Sequence, residues 1–467
     1  MNLKMIILFF ISALALNAAG QTAPQWQWAQ GLHGPDSDQG LCLAIDRDNN
    51  IYVSGHFNSD TMTAGAFYVS DTTTLYTDVF IAKYDSAGQI KWLKSYGGAR
   101  MEYAGRIFVD QDNNVYFTGH FDSPELNIEG VVLLNPTSPN LDFFILKLDS
   151  SGSLLWVKSY HGSNYEASSD LSVDSAGNIF LIGCFDSPDL DLGGVVLSAS
   201  GSDDVFTAML DPFGNCIWAK TAGGGFMDLA STLERDHAGN VYSACSSESP
   251  NIVFNGSPPI SFSSPANFNL YLAKYSSAGA LLDVKCFGGY EYEDGGPMAF
   301  DDANNMYFSG RFFSDSINIE GFVLNNPDRK SENFLVKYNN NDQAVWVEHI
   351  RGDGIVSDIC VTHNNTILIC GFFTDTIYLD NLLLTNPADG TAFIAEYDTD
   401  GNILWAKYAG ISGRNRATSM AIDNNCRVYL GGDFEGPYID LDGIILSNAN
   451  SGTADSFLSK LDYSCTH

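Results

Sequence analysis

Apolar residues along this chain come in short runs of five to eight, rich in Val, Ile, Tyr and Phe and bounded by Asp, Gly, Asn and Ser. Nowhere do they repeat at helical spacing, so the pattern predicts strands throughout. Four runs recur in a fixed order. The first ends in Asp, as in LCLAID or GRIFVD. The second follows a turn: NIYVSGHF at 50–57, NVYFTGHF at 114–121, NIFLIGCF at 178–185, NMYFSGRF at 305–312 and RVYLGGDF at 427–434. The third runs from DVFIAKYD at 78–85 and DFFILKLD at 142–149 to DSFLSKLD at 455–462. The fourth carries Trp, as in QIKWLKSYGG at 89–98, with equivalents at Trp156, Trp218, Asp283, Trp346 and Trp405.

The Gly of the second run sets the period. It stands at Gly55, Gly119, Gly183, Cys245, Gly310, Gly371 and Gly432, in steps of 61 to 65 residues, so there are seven units. Several runs are apolar at consecutive positions, which places both faces in a core, whereas a lone sandwich alternates more cleanly. Four-stranded sheets buried on both faces and repeated radially describe an all-β, seven-bladed β-propeller. The Trp run is one copy short after residue 41, and QWQWAQGLHG at 25–34 supplies it, with Trp28 in the Trp column. The N-terminal strand is therefore predicted to complete the last blade and close the ring, which removes the open sheet edge.

The pattern Asp-x-x-x-Asn-apolar-Tyr-x-x-Gly, then Asp-x-Phe-apolar-x-Lys-x-Asp, then a Trp strand ending in Gly-Gly resembles the bacterial SBBP-type β-propeller repeat family. Asp46, Asn50, Tyr52, Gly55, Asp78, Phe80, Lys83, Asp85, Trp92, Gly97 and Gly98 carry it in the first unit, and the resemblance covers nearly all of 25–462. The fourth copy departs at Cys245 and Asp283, and the sixth at Thr362. The resemblance implies an exported or surface-attached bacterial protein, mostly without assigned chemistry in that family.

The ends and the charge narrow the picture. Lys4, an apolar run from Met5 to Leu16 and the small residues Asn17–Gly20 read as a secretory signal over 1–20, too short to span a bilayer as a helix. The expected location is secreted or at the cell surface, with no transmembrane segment, and the expected state is a monomer. A net charge of −33, from 23 basic and 56 acidic residues, repels nucleic acid and anionic lipid. The nine Cys include no C-x-x-C and no zinc spacing. Cys426 lies in the first hairpin turn of the last blade and Cys465 just past its third strand, so a disulfide between them is geometrically allowed.

Candidate chemistry is sparse. The D-x-x-G-x-x-x-W phrase at Asp85–Trp92, Asp149–Trp156, Asp211–Trp218 and Asp398–Trp405 is one residue shorter than a quinoprotein docking motif and reads as a hairpin with Trp packed between blades. The turns DRDNN and DQDNN begin like calcium loops but lack the central Gly and terminal Glu, and read as Asx turns. No catalytic constellation is readable, and no catalytic residue is assigned. His56, His120, Arg311 and Asp433 share a column that varies within the repeated frame, which marks them as ligand-binding candidates. Asp38, Glu102, Glu166, Asp228 and Glu293 fall where the chain enters five of the seven inner strands. They predict either turn caps or an acidic ring at the channel mouth holding a cation such as Ca²⁺. The 20-residue connections such as LNIEGVVLLN at 126–135 read as small β-arms projecting from one rim, the face expected to bind. The leading expectation is a non-enzymatic propeller binding a protein or glycan there. A carboxylate-dependent polysaccharide hydrolase or lyase and a structural envelope protein are the alternatives.

Overall fold

In the computed structural model, described for residues 22–463 apart from 72, 74–75, 263–266, 386–388, 411 and 449, seven antiparallel sheets form the predicted propeller. Blade 1 comprises, from channel to rim, Asp38–Ile45, Ile51–Phe57, Asp78–Tyr84 and Ile90–Tyr96. Inner strands of blades 2 to 6 begin at Glu102, Glu166, Asp228, Glu293 and Gly354. Blade 7 joins Asn415–Ile422, Val428–Phe434 and Asp455–Leu461 to Trp26–Leu32 from the opposite end of the chain. Trp28 pairs with Lys460, its ring lies 6.0 Å from that of Tyr429, and Asp462 N–H donates to the Gln25 carbonyl at 2.7 Å. The ring is closed as the Trp column predicts. The signal-peptide expectation for 1–20, and Cys465, lie outside the described residues.

The recurring residues now have physical reasons. Each inner strand carries a bulge, and the second-strand Gly sits beside it. Gly55 faces Phe80 across the ladder. A Cβ there would meet the Gln39 carbonyl at 2.0 Å and the Phe80 ring at 2.7 Å. In five of the seven junctions the Trp of an outer strand docks on the Gly of the next blade's outer hairpin: a Cβ on Gly152 would lie 3.0 Å from Trp92, and one on Gly401 3.0 Å from Trp346. The Trp-Gly phrase is therefore a blade-to-blade contact. The core consists of seven apolar layers, each shared by adjacent blades, as where Tyr52 and Ile81 of blade 1 meet Phe117 and Phe144 of blade 2.

The arms differ from expectation. All seven second-to-third connections form two-stranded hairpins, but they do not project from the rim. Six fold down the outside of the propeller, across the outer strands of their own and the preceding blade, and the fourth extends the sheet of the preceding blade through Asn251–Phe254. The arm Glu125–Ile128/Val131–Leu134 bridges Leu126 to Gly98 of blade 1, and its turn residue Glu129 accepts from Leu154 N–H of blade 2 at 3.3 Å. Leu126, Ile128 and Leu133 face inward and are buried, while Val131, Val132 and Leu134 face out. Burying that inward stripe against exposed outer-strand edges is what lays the arm flat.

Candidate functional site

At every blade junction, the N–H of the first inner-strand residue donates to the carbonyl preceding the previous blade's third strand. Examples are Glu102 to Thr77 at 2.8 Å, Glu293 to Phe268 at 3.0 Å and Asp38 to Ala454 at 2.6 Å. The five predicted carboxylates all lie here and are fully buried. Each meets a serine from the start of its own blade's arm connection: Ser59 with Asp38, Ser123 with Glu102, Ser187 with Glu166, Ser249 with Asp228, Ser314 with Glu293. Three also cap a loop amide, Gly98, Gly224 or Gly289, at 2.7 to 3.0 Å. The same serines accept from the loop backbone at Asn164, Phe226 and Glu291, so the sockets fix the loops that lead into the inner strands.

The five carboxylates stand in five separate sockets. Among the described residues no three His, Cys, Asp or Glu side chains converge as a metal group. Their acidic neighbours come instead from the preceding blade's third strand: Asp78 beside Glu102, Asp142 beside Glu166, Asp204 beside Asp228, Asp455 beside Asp38. Burial, then the neighbouring charge, pushes Asp38 and Asp228 up to about 7 and Glu102 up to about 8. Burial, then the adjacent Glu166 carboxyl, pushes Asp142 up to about 8, and burial raises Glu166 in turn. Where Gly354 and Asn415 replace the acid, Asp375 and Gly436 replace the serine.

In the variable column, His56 and His120 reach across to the next blade, while Arg311 and Asp433 pair with the inner strand of their own. His56 packs half-buried against Tyr103, and desolvation lowers it to about 4. His120 Nε2 meets the backbone N and O of Ser168 at 3.0 and 2.7 Å. Asp433 pairs with Arg416 at 3.0 Å. Arg311 pairs twice with Asp294 yet also borders a surface cleft with Glu291, Tyr292 and Phe313. Cys426 is disulfide-bonded; seven other cysteines are free thiols, of which Cys286 is exposed.

A second network lines the central channel, a cavity of about 750 Å³ bounded by all seven inner strands. It was not singled out from sequence, although its residues share one column, four positions after each socket residue: Cys42, Arg106, Asp170, Thr232, Pro297, Asp358 and Ser419. Arg106 of blade 2 pairs with Asp170 of blade 3 at 3.2 Å. Asp170 in turn accepts from Thr232 and Leu233 N–H of blade 4 at 2.8 and 3.0 Å. Asp358 accepts from Ser419 and Met420 N–H at 3.0 and 2.8 Å, and Ser419 accepts from Leu43 N–H at 3.1 Å. Asp170, Asp358 and Ser419 thus each tie their blade to the next by satisfying an amide beside its bulge.

On the face above the sockets, three consecutive loops expose an aromatic ring. Tyr165, Phe226 and Tyr290 lead into blades 3, 4 and 5 and are 37%, 54% and 71% exposed. Tyr292 continues the arc, packing on Phe268 at 5.1 Å and Phe313 at 5.9 Å, with the Arg311 guanidinium 5.3 Å from the Phe313 ring.

The chain is thus a seven-bladed β-propeller with a sealed rim and one face of socketed loops. No protein-family model matches it. An uncharacterised WD-repeat-containing protein of Acanthamoeba polyphaga mimivirus is 22% identical over 501 residues, covering 87% of this chain but only 36% of that protein. Among solved structures, the Neurospora crassa Pan2 WD40 domain is 8% identical at a TM-score of 0.45, covering 91% of this chain and 90% of that one. An inactive virginiamycin B lyase from Staphylococcus aureus is 8% identical at 0.40, covering 92% and 98%. Likeness at that level carries no functional argument.

Proposed function

We propose that this is an exported, non-enzymatic propeller of the SBBP-repeat type that binds a glycan on the face bearing the socketed loops. The carrying observation is the arc of exposed rings at Tyr165, Phe226 and Tyr290, on loops pinned by Ser187, Ser249 and Ser314. Aromatic rings held by backbone and serine hydrogen bonds stack on sugar faces with little ordering cost. Glu291, paired with Arg329 at 2.8 Å, and Asp294, paired with Arg311, stand beside them as acceptors for hydroxyl groups. Of the channel acids, Asp170 and Asp358 each have both oxygens engaged by amides, hydroxyls or a guanidinium, which supports binding over hydrolysis, while Glu234 accepts from Arg235 N–H through Oε1 and is raised to about 7 by burial. Export rests on the N-terminal signal pattern, and the family reading on the repeat signature.

A glycan array and titration calorimetry with the oligosaccharides it selects test this reading. Tyr290→Ala with Phe226→Ala is expected to weaken binding at least about tenfold while leaving the melting temperature unchanged. Selected oligosaccharides that bind the double variant as tightly as the native protein would refute it, as would a protein array in which peptides alone are selected.

A further inference from the structure

The arms are held to the preceding blade by a repeated ion pair. The residue two after the Trp column is Lys94, Lys158, Lys220, Lys285, Glu348 and Lys407 in blades 1 to 6, and Gln30 in the strand that completes blade 7. Three of these lysines reach the turn acid of the following arm: Lys94 with Glu129, Lys285 with Glu320, Lys407 with Asp442. In the junction of blades 4 and 5 the Lys285 ammonium also lies 5.3 Å from the ring of Tyr338, beneath the arm.

The junction of blades 5 and 6 keeps this frame without its cation. The bridge of Arg351 to Tyr378 sets the same register as that of Gly98 to Leu126, so Glu348 faces Asp380 as Lys94 faces Glu129. Two carboxylates meet where sister junctions hold an ammonium. No described residue donates a hydrogen bond or forms an ion pair to either one. The two cations of that junction are engaged elsewhere: Lys337 at the Thr399 carbonyl at 2.8 Å, and the Arg351 guanidinium 5.1 Å from the Tyr378 ring. Tyr397 occupies the position of Tyr338, is fully buried and, like Tyr338, has a hydroxyl without a hydrogen-bond partner among the described residues; its charged neighbours here are Glu348 and Asp380, where Tyr338 has the Lys285 ammonium. Burial and Asp380 push Glu348 up to about 7.

We propose that Glu348 and Asp380, with the Tyr397 hydroxyl beneath them, form a divalent-cation site that takes Ca²⁺ from solvent and fastens the sixth arm. Two carboxylates and a neutral oxygen, completed by water, suit a hard cation that tolerates irregular geometry. Half-buried Glu348 and exposed Asp380 leave the site open to the outside.

The test compares melting temperature at pH 7.5 in EDTA and in millimolar CaCl₂, with titration calorimetry of CaCl₂ into the full chain. Native protein is expected to gain at least about 2 °C in Ca²⁺ and to show saturable binding. Glu348→Lys supplies the ammonium of the sister junctions. It is expected to match the Ca²⁺-bound native protein in EDTA and to gain nothing from Ca²⁺. Asp380→Asn is expected to lose the Ca²⁺ response without that gain. An unchanged native melting curve overturns the proposal. So does a response that survives in both variants, which would place the ion elsewhere.

Discussion

At the scale of single residues, the repeated Gly-Gly at the end of the Trp strand shows how space becomes specificity. Gly97 leaves room for Asp78, and a Cβ on it would stand 2.0 Å from the Asp78 carboxylate. Gly223 and Gly288 do the same for Asp204 and Asn269, at 2.2 and 2.1 Å. None of the three has a positive φ, so the constraint is close approach and not backbone conformation. Gly97→Ala must displace a buried side chain that touches the next blade's socket. It is expected to cost about 1–3 kcal/mol in chemical denaturation. Gly130→Ala tests the other mechanism: it has a φ of 92° and open space around its Cβ, so its cost would come from backbone strain alone. Equal stability of Gly97→Ala and the native protein would refute the close-packing argument.

At the scale of elements, closure by Trp26–Leu32 carries the largest consequence. That strand buries Trp26 and Leu32, and covers the edge of Asp455–Leu461 along six residue pairs. Lys407 of blade 6 also reaches the Pro24 carbonyl at 3.0 Å. Deleting residues 21–34 is expected to lower the melting temperature by more than about 5 °C and to produce dimers or aggregates in size-exclusion chromatography, because an unpaired edge recruits strands. A monomer of native stability would mean that the strand is dispensable. The arms contribute differently. Their ion pairs are partly exposed, so each is worth only tenths of a kcal/mol, and the buried stripes of Leu126 and Ile128 do more to hold them.

At the scale of the whole molecule, the junction acids make stability depend on pH in an unusual direction. Burial raises Asp38, Asp228 and Asp455 to about 7, and Glu102 and Asp142 to about 8, above the usual carboxylate range near 4. Between these values the folded chain binds more protons than the unfolded chain. This contribution is therefore complete below about pH 4 and is lost as pH rises through about 7 to 8. His56, lowered to about 4 by desolvation, works oppositely below its usual value near 6.5. The melting temperature is expected to be higher at pH 5.5 than at pH 8.5. Asp142→Asn should raise it at pH 8.5 and narrow the difference, since the chain already places Asn269 at the same position of blade 4. A melting temperature that climbs from pH 5.5 to 8.5 in the native protein would contradict this.

The repeat, the strand class, the seven blades and the closing strand were all legible in the order of residues. Each follows from local patterning, turn chemistry and counting, and Trp28 in the Trp column was enough to join the two ends. Asp38, Glu102, Glu166, Asp228 and Glu293 were legible as a column for the same reason. Their setting was not, because the acids beside them, such as Asp142 and Asp455, arrive from a neighbouring blade about 20 or more than 400 residues away. The serines at 59, 123, 187, 249 and 314 vary together with those acids, a signal present in the repeat but visible only once their contact is known. Only the packing of blades shows that the arms lie flat, that the two histidines of the variable column reach the next blade, and that Glu348 faces Asp380. Those outcomes depend on which surfaces of adjacent blades meet, and a periodic sequence specifies each blade without stating how far its side chains reach into the next.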